Sequence, residues 1–321
     1  KLLNQFIKYN CKNALSNVKF ENLYGKTICI DTHIYMYKFC HELSVIEGMY
    51  LLCSLFKKYN ITPIFVWDGK PPKEKWNEID RRNKEKRKLS KEYDILREKY
   101  NRGNIMDENL LLKINKIKKQ IVRINHVDIQ NVKNLFDSYG IMHITADGEA
   151  DKLCAELVIQ KKAYACVSED MDLFVYGCTR VLRYMSLLKK TTVMYNLKEM
   201  LNELDLTLDE FRSICIVSGT DYNIGNDDKS GNNLIKTLKY FKKYKKCEGG
   251  RKNNDCLFYD WLDKNTTYTS DLIDLYTIDS LFTLDNMIEY KQYEKIKIVN
   301  GPINKSNLII VMEKENFIFA N

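Results

Sequence analysis

Thr27-Ile-Cys-Ile-Asp31 is a short apolar run, rich in β-branched residues, that closes on an aspartate. Pro63-Ile-Phe-Val-Trp-Asp68 repeats the pattern, and Ile141-Met-His-Ile-Thr145 and Tyr164-Ala-Cys-Val-Ser168 are two further runs of the same kind. Continuous apolar runs of this length read as strands buried on both faces. Between them the period changes to that of a helix. Residues 44–59 place Val45, Met49, Leu52, Leu55 and Phe56 on one stripe, and residues 151–161 do the same with Leu153, Leu157 and Val158. Strands alternating with helices predict an α/β fold, a mainly parallel twisted sheet with helices on both sides.

The segment from 73 to 124 breaks this rhythm, and it is too long for an ordinary connection in such a fold. It is charged, helix-prone and split by Asn101-Arg102-Gly103-Asn104, which predicts two helices forming an insertion over the sheet. Residues 206–218 and 232–246 also read as helices, with a polar loop at 223–233 between them. The chain therefore divides into a core over 1–222, carrying the insertion at 73–124, and a C-terminal helical region over 223–321 that packs back on the core.

The net charge of +8 is unevenly placed. Residues 69–123 hold 18 Lys and Arg against 9 Asp and Glu, which leaves the rest of the chain near neutrality. A basic segment on a neutral body points to an anionic polymer as partner. No run of about 18 apolar residues occurs, so no membrane-spanning helix is predicted. The stretch KLLNQFIKYNCKN at the start is interrupted by polar residues too early for a secretory signal. The ten cysteines, scattered from Cys11 to Cys256, form no Cys-x-x-Cys pair, so their spacing predicts no zinc site. They read as reduced, mostly buried thiols of an intracellular protein.

The acids carry the chemistry. Asp31 and Asp68 end the first two strands, Glu149 and Asp151 follow the third, and Asp170 and Asp172 follow the fourth. In an open parallel sheet the ligand crevice lies outside the carboxyl ends of the strands, so six carboxylates converge on one edge. Asp221, at the start of a loop after an apolar helix, is placed to join them. Such a set of hard oxygen donors selects Mg²⁺, with Mn²⁺ as a substitute. Seven acids suffice for two ions, a pair suited to phosphodiester hydrolysis. The histidines, His33, His41, His126 and His143, are dispersed without metal-ligand spacing, and there is no P-loop or Gly-x-Ser-x-Gly pattern.

These segments resemble the flap endonuclease family of structure-specific 5′ nucleases, over most of residues 20–222. Ile30-Asp31-Thr-His-Ile-Tyr-Met-Tyr37 looks like the family's first metal-binding strand, and Val66-Trp-Asp68-Gly-Lys-Pro-Pro72 is similar to its second. Gly148-Glu149-Ala-Asp151 matches a Glu-Ala-Glu segment with Asp151 in place of the second Glu, and Ser168-Glu-Asp170-Met-Asp172 and Gly219-Thr-Asp221-Tyr222 complete the set. The resemblance implies a helical arch across the sheet and removal of 5′ flaps from branched DNA in replication and repair. It implies that the seven acids hold metal, that Lys75 and Arg82 contact the scissile phosphate, and that Tyr37 stacks on an unpaired base. Lys70, Lys86, Lys88, Lys236 and Lys239 are further candidates for contacts with DNA. The Gly-x-Gly-Pro element of the family's duplex-gripping motif is missing from 223–233, and no Gln-x-x-Leu-x-x-Phe-Phe peptide is present to predict a sliding-clamp partner. Asn307-Leu-Ile-Ile-Val-Met312 looks like the family's terminal core helix. Scarce Pro with abundant Lys, Asn, Ile and Tyr implies AT-rich coding, and together with the departures it resembles a large DNA virus version of the enzyme. A monomer acting in the nucleus, or at a viral replication site in the host cell, is expected. The alternatives are a relative that cuts junctions or bubbles, and a catalytically silent DNA-binding scaffold.

Overall fold

A computed structural model describes residues 2–42, 44–102, 107–223, 233–248, 257–268, 272–284, 298, 300–315 and 317. Its strands are β1 (Leu15–Lys19), β2 (Thr27–Asp31), β3 (Thr62–Trp67), β4 (His143–Thr145), β5 (Ala165–Val167), β6 (Arg180–Ser186) and β7 (Thr191–Asn196). They form one sheet in the order β1-β7-β6-β5-β2-β3-β4. The contiguous block β6-β5-β2-β3-β4 is parallel, and β7 and β1 add an antiparallel edge. The four predicted strands are β2 to β5, four of the five in the parallel block. Three of them are shorter than, or shifted from, the apolar runs by one or two residues.

Successive residues of the central strands supply two separate cores. Cys29, Ile64, Val66, Cys166 and Val181 face one, together with α1 (Leu2–Asn10), α7 (Ala150–Ile159), α8 (Asp172–Val175), α9 (Leu197–Leu204), α10 (Leu208–Ser218), α11 (Leu234–Glu248), α12 (Phe258–Asn265) and α13 (Leu272–Phe282). Ile28, Ile30, Phe65, Trp67, Ala165 and Val167 face the other. There they meet α2 (Thr32–Glu42), α3 (Val45–Lys58), α6 (His126–Tyr139) and a C-terminal helix, α14 (Lys305–Glu313). The stripe on α3 behaves as its period dictates: Met49, Leu52 and Phe56 are fully buried, and Val45 and Leu55 pack at the margin. Ser44 caps this helix, accepting from the Glu47 amide at 3.1 Å. Leu308 and Met312 of α14 are buried beside α6, and Asn304 donates its amide to the Ser138 carbonyl at 2.8 Å.

The insertion is the helix pair α4 (Trp76–Arg102) and α5 (Glu108–Ile121). At 1.5 Å per residue, α4 is about 40 Å long. Only Glu78 of it is buried, so it stands away from the body, while α5 buries Ile114 and Ile117 and is joined to α4 by Lys113–Glu92 at 2.8 Å. Gly103 and Asn104 of the split between them, and residues 224–232 of the polar loop, lie outside the described residues. Among the described residues no single helix is long and apolar enough to cross a membrane.

One expectation needs correcting. Ile30–Tyr37 is not all strand: β2 ends at Asp31 and α2 begins at Thr32. The Asp31 carboxylate accepts the Ile34 amide at 3.4 Å, the bond expected of an aspartate at a helix N-terminus.

Candidate active site

The sheet grows in one direction from β2 through β3 to β4, and in the other through β5 to β6. Its topological switch point is the gap between the carboxyl ends of β2 and β5, where the crevice of an open α/β sheet forms. Asp31 ends β2 there, 4% exposed, and accepts the Ser168 hydroxyl at 3.4 Å from the end of β5. The same hydroxyl accepts the Asp170 amide at 3.1 Å, and the Asp170 carboxylate accepts the Asp172 amide at 2.9 Å. This turn thus sets both of its acids by short-range bonds.

Asp68 reaches the crevice because Gly69 lets two loops touch. The Gly69 amide donates to the Gly148 carbonyl at 2.7 Å, and the Asp68 carboxylate accepts the Ala150 amide at 2.9 Å, at the first turn of α7. A Cβ on Gly69 would stand 1.9 Å from the Ala146 carbonyl oxygen, a backbone atom that has nowhere to go. Gly69→Ala is therefore expected to pry Asp68 away from the first turn of α7. Overpacking of this kind costs about 1–3 kcal/mol. Urea unfolding should show the loss, and isothermal titration should show weaker divalent-ion binding. An unchanged ion affinity would mean that the loop contact does not set the position of Asp68.

Glu149 is the cap residue of α7, and Asp151 lies in its first turn. The side chain of Glu149 is gripped by the Lys75 ammonium and the Tyr222 hydroxyl, and Tyr222 also pairs with the Tyr176 hydroxyl at 2.8 Å. Lys75 lies 3.5 Å from Asp221 as well, and Arg82 Nη2 donates to Asp221 at 2.8 Å. Arg82 is braced from behind by Glu78 at 2.5 Å, a buried carboxylate that Arg81 also holds, at 2.6 Å. The base of the insertion is thus pinned to the acids by two cations. Tyr37, at the edge of exposure, lies under the Lys86 ammonium, 5.2 Å from its ring centre, and Lys86 donates to the Val122 carbonyl at 3.2 Å. Lys70 and Lys88 are exposed, as are Lys236 and Lys239 on α11.

Burial and neighbouring carboxylates together raise Asp31, Asp151 and Asp172. Burial pushes the Asp31 carboxyl up to about 7, with Asp68 and Asp170 adding to the shift. Burial also raises Asp151 well above the usual range, helped by Asp170, Asp31, Asp68 and Asp172, and it raises Asp172, helped by Asp170, Asp221 and Glu149. One oxygen of Asp151 is buried without a hydrogen-bond partner. Burial opposes ionisation of Asp68 too, but the hydrogen bond and charge of His33, at 2.9 Å, hold its carboxyl below the ordinary value. Burial alone would favour a neutral Lys75, yet Glu149, Asp221 and Asp151 outweigh it and raise its pKa. Crowded, partly buried carboxylates with an orphaned oxygen fit hard divalent cations.

This crowding has a pH signature. In the absence of a cation, folding raises Asp31 from 3.8 to about 7, so the folded state takes up a proton there. The stability associated with it is complete below pH 3.8 and is lost as the pH rises toward 7. Asp31→Asn removes the penalty. In EDTA at pH 8 the variant is expected to be more stable than the parent by a few kcal/mol, at about 1.4 kcal/mol per pKa unit, with the gap closing toward pH 4. Excess Mg²⁺ should stabilise the parent more than the variant. A pH-independent gap in chemical denaturation would sink this account of the cluster.

Sequence reading missed His33, Ser168 and Tyr222 as participants. His33 lacks metal-ligand spacing, but its place two residues after a strand-ending aspartate was an available signal. The positions of Ser168 and Tyr222, each within two residues of an acid, carried no chemistry of their own.

Acids on the floor of a switch-point crevice, faced by cations from a helical insertion, define a nuclease of the α/β class. The family model described as XPG N-terminal domain matches residues 1–89, and that described as XPG I-region matches residues 140–221. Flap endonuclease 1 of Methanococcus aeolicus is 30% identical over 238 residues, covering 68% of this chain and 69% of that protein. Flap endonuclease 1 of Lodderomyces elongisporus is 29% identical over 239 residues, 68% of this chain, and the match spans 60% of the yeast protein's length. The solved catalytic core of Rad2 in complex with DNA substrate shares the fold, with a TM-score of 0.64 at 21% identity, covering 97% of this chain and 93% of that one. The chain belongs to the XPG and flap endonuclease family.

Proposed function

We propose that this protein is a structure-specific 5′ flap endonuclease with accompanying 5′–3′ exonuclease activity, acting on branched DNA in replication and repair. The observation that carries the reading is that Lys75 and Arg82, from the base of the insertion, meet Glu149 and Asp221 of the carboxylate cluster. Asp31, Asp68, Glu149, Asp151, Asp170, Asp172 and Asp221 would hold two Mg²⁺ ions, for which Mn²⁺ can substitute. Magnesium takes only one or two protein carboxylates and keeps several waters, so seven acids serve two ions. Bound ions supply an activated water and neutralise charge on the phosphate.

The chain's own residues do the rest. Lys75 and Arg82 lie within reach of the acids that would hold metal, so a phosphate entering the crevice meets both cations. Tyr37 offers its ring to the unpaired base beside the cut. Lys70, Lys86 and Lys88 line the approach, and Lys236 and Lys239 on α11 follow the duplex phosphates. The protein acts as a monomer, and an intracellular site of DNA synthesis, nuclear or viral, suits this substrate.

A labelled 5′ flap, offered beside single strands, bubbles and four-way junctions, tests the reading. Cleavage near the base of the flap is expected, only with Mg²⁺ or Mn²⁺. Affinity should fall steeply with salt, because neutralised phosphates release counterions, and flaps of one shape and different sequence should bind alike. Preferential cutting of junctions or bubbles would replace the flap assignment with one of the family's other substrates.

A further inference from the structure

Beneath the acids the fold gathers three thiols from distant parts of the chain. Cys29 stands on β2 two residues before Asp31, and Cys166 on β5 two residues before Ser168. Cys154 stands on α7 three residues after Asp151, about one helical turn. Cys29 and Cys166 are register partners on neighbouring parallel strands, and both face the core that α7 covers. All three side chains are fully buried, and their sulfurs lie within 4.8 Å of one another. The Cys154 and Ala165 carbonyl oxygens stand 3.5 and 3.6 Å from the Cys29 sulfur.

We propose that Cys29, Cys154 and Cys166 form a binding site for one divalent thiophilic cation with a filled d shell, the zinc class, separate from the carboxylate site above it. A metal–sulfur bond of about 2.3 Å places three sulfurs around a central ion about 4 Å apart, so the trio needs only a small contraction. Thiolates select soft and borderline cations, whereas the carboxylates select hard ones, so the two sites do not compete for the same ion. Charge chooses the valence. Three thiolates around a monovalent ion leave two negative charges in a core that also holds Val66, Ala150 and Leu153, and around a divalent ion they leave one. Uncompensated buried charge is costly, so the divalent ion is favoured. The carbonyl oxygens beside Cys29 offer a fourth donor at the edge of the trio. Spacing along the chain could not reveal this site, since its ligands come from two strands and a helix across the core. It stands independently of the nuclease reading.

Cadmium is the probe, because it has the coordination preferences of zinc and its thiolate complexes absorb in the near ultraviolet. The full chain is refolded with Cd²⁺ in the presence of excess Mg²⁺, which occupies the carboxylates, and loosely held ions are removed by gel filtration. One cadmium per chain is expected, with the thiolate absorption band and displacement by Zn²⁺. Cys154→Ala and Cys166→Ala should each abolish the band and the retained ion. Cys215→Ala, a buried cysteine outside the trio, should keep both. Cys154→Ser, closer in size, serves the same purpose if the alanine variant does not fold. A parent protein that refolds without retaining cadmium overturns the proposal, as does a band that survives in the Cys154 and Cys166 variants.

Discussion

Asp172→Asn is expected to abolish cleavage while leaving DNA binding at or above the parent level. Asp172 sits where the turn after β5 enters α8, its amide fixed by Asp170 and its carboxyl facing Asp170, Asp221 and Glu149. The amide side chain keeps the volume and removes one negative charge and one hard donor. The first change reduces repulsion of phosphate, and the second removes a proposed ion ligand. The charge stabilisation supplied by a metal amounts to several kcal/mol, and at about 1.4 kcal/mol per tenfold its loss lowers the rate by about a thousandfold or more. Single-turnover cleavage at saturating enzyme, paired with fluorescence anisotropy in Ca²⁺, separates the two quantities. A variant that cuts at near the parent rate in Mg²⁺ removes Asp172 from the metal set.

Lys75→Ala and Arg82→Ala are expected to lower the single-turnover rate by about 10²–10³, the usual effect of removing a preorganised group that meets transition-state charge. Both cations already point at the acids, Lys75 from the turn before α4 and Arg82 from the second turn of α4, and Glu78 holds Arg82 in place. Their geometry is set before substrate arrives, which is the condition for an effect on rate rather than on affinity. Lys86→Ala should do the reverse and do it weakly, since its ammonium sits over Tyr37 and against Val122 rather than against an acid. Equal, small losses of affinity in all three variants would reduce the insertion to an electrostatic surface.

Strands β2 to β5 were legible because they are apolar on both faces and are closed or followed by acids that recur at one edge. Strands β6 and β7 were not. Their residues, such as Arg180, Arg183, Thr191 and Asn196, interleave polar with apolar side chains, and the pairing of β1 with β7 joins positions some 180 residues apart. Helix α12 is only eight residues long, and the apolar residues of α13 are spread around its axis rather than along one stripe, so neither period stands out. At the site, residue type and strand-end position were enough to nominate six acids, and the loop after an apolar helix added Asp221. They did not reveal that Lys75, Tyr222 and Glu149 form one hydrogen-bonded group, because that contact depends on how the turn before α4, the start of α7 and the loop after α10 come together. Nor did they show His33 holding Asp68, since a lone histidine on a helix has no spacing to read.

The insertion leaves the core at Trp76 and the chain rejoins it at His126, at two points of a single crossover between β3 and β4. Everything between is tied down at its base and nearly bare of buried side chains along α4. The molecule is therefore built as a fixed cutting head with an exchangeable cassette. Grafting the corresponding segment of another family member between these two points, with Lys75, Glu78 and Arg82 kept, is expected to change which DNA ends are admitted without touching the acids. Selection for new substrates can act on some fifty residues of the chain while the machinery of hydrolysis is inherited unchanged.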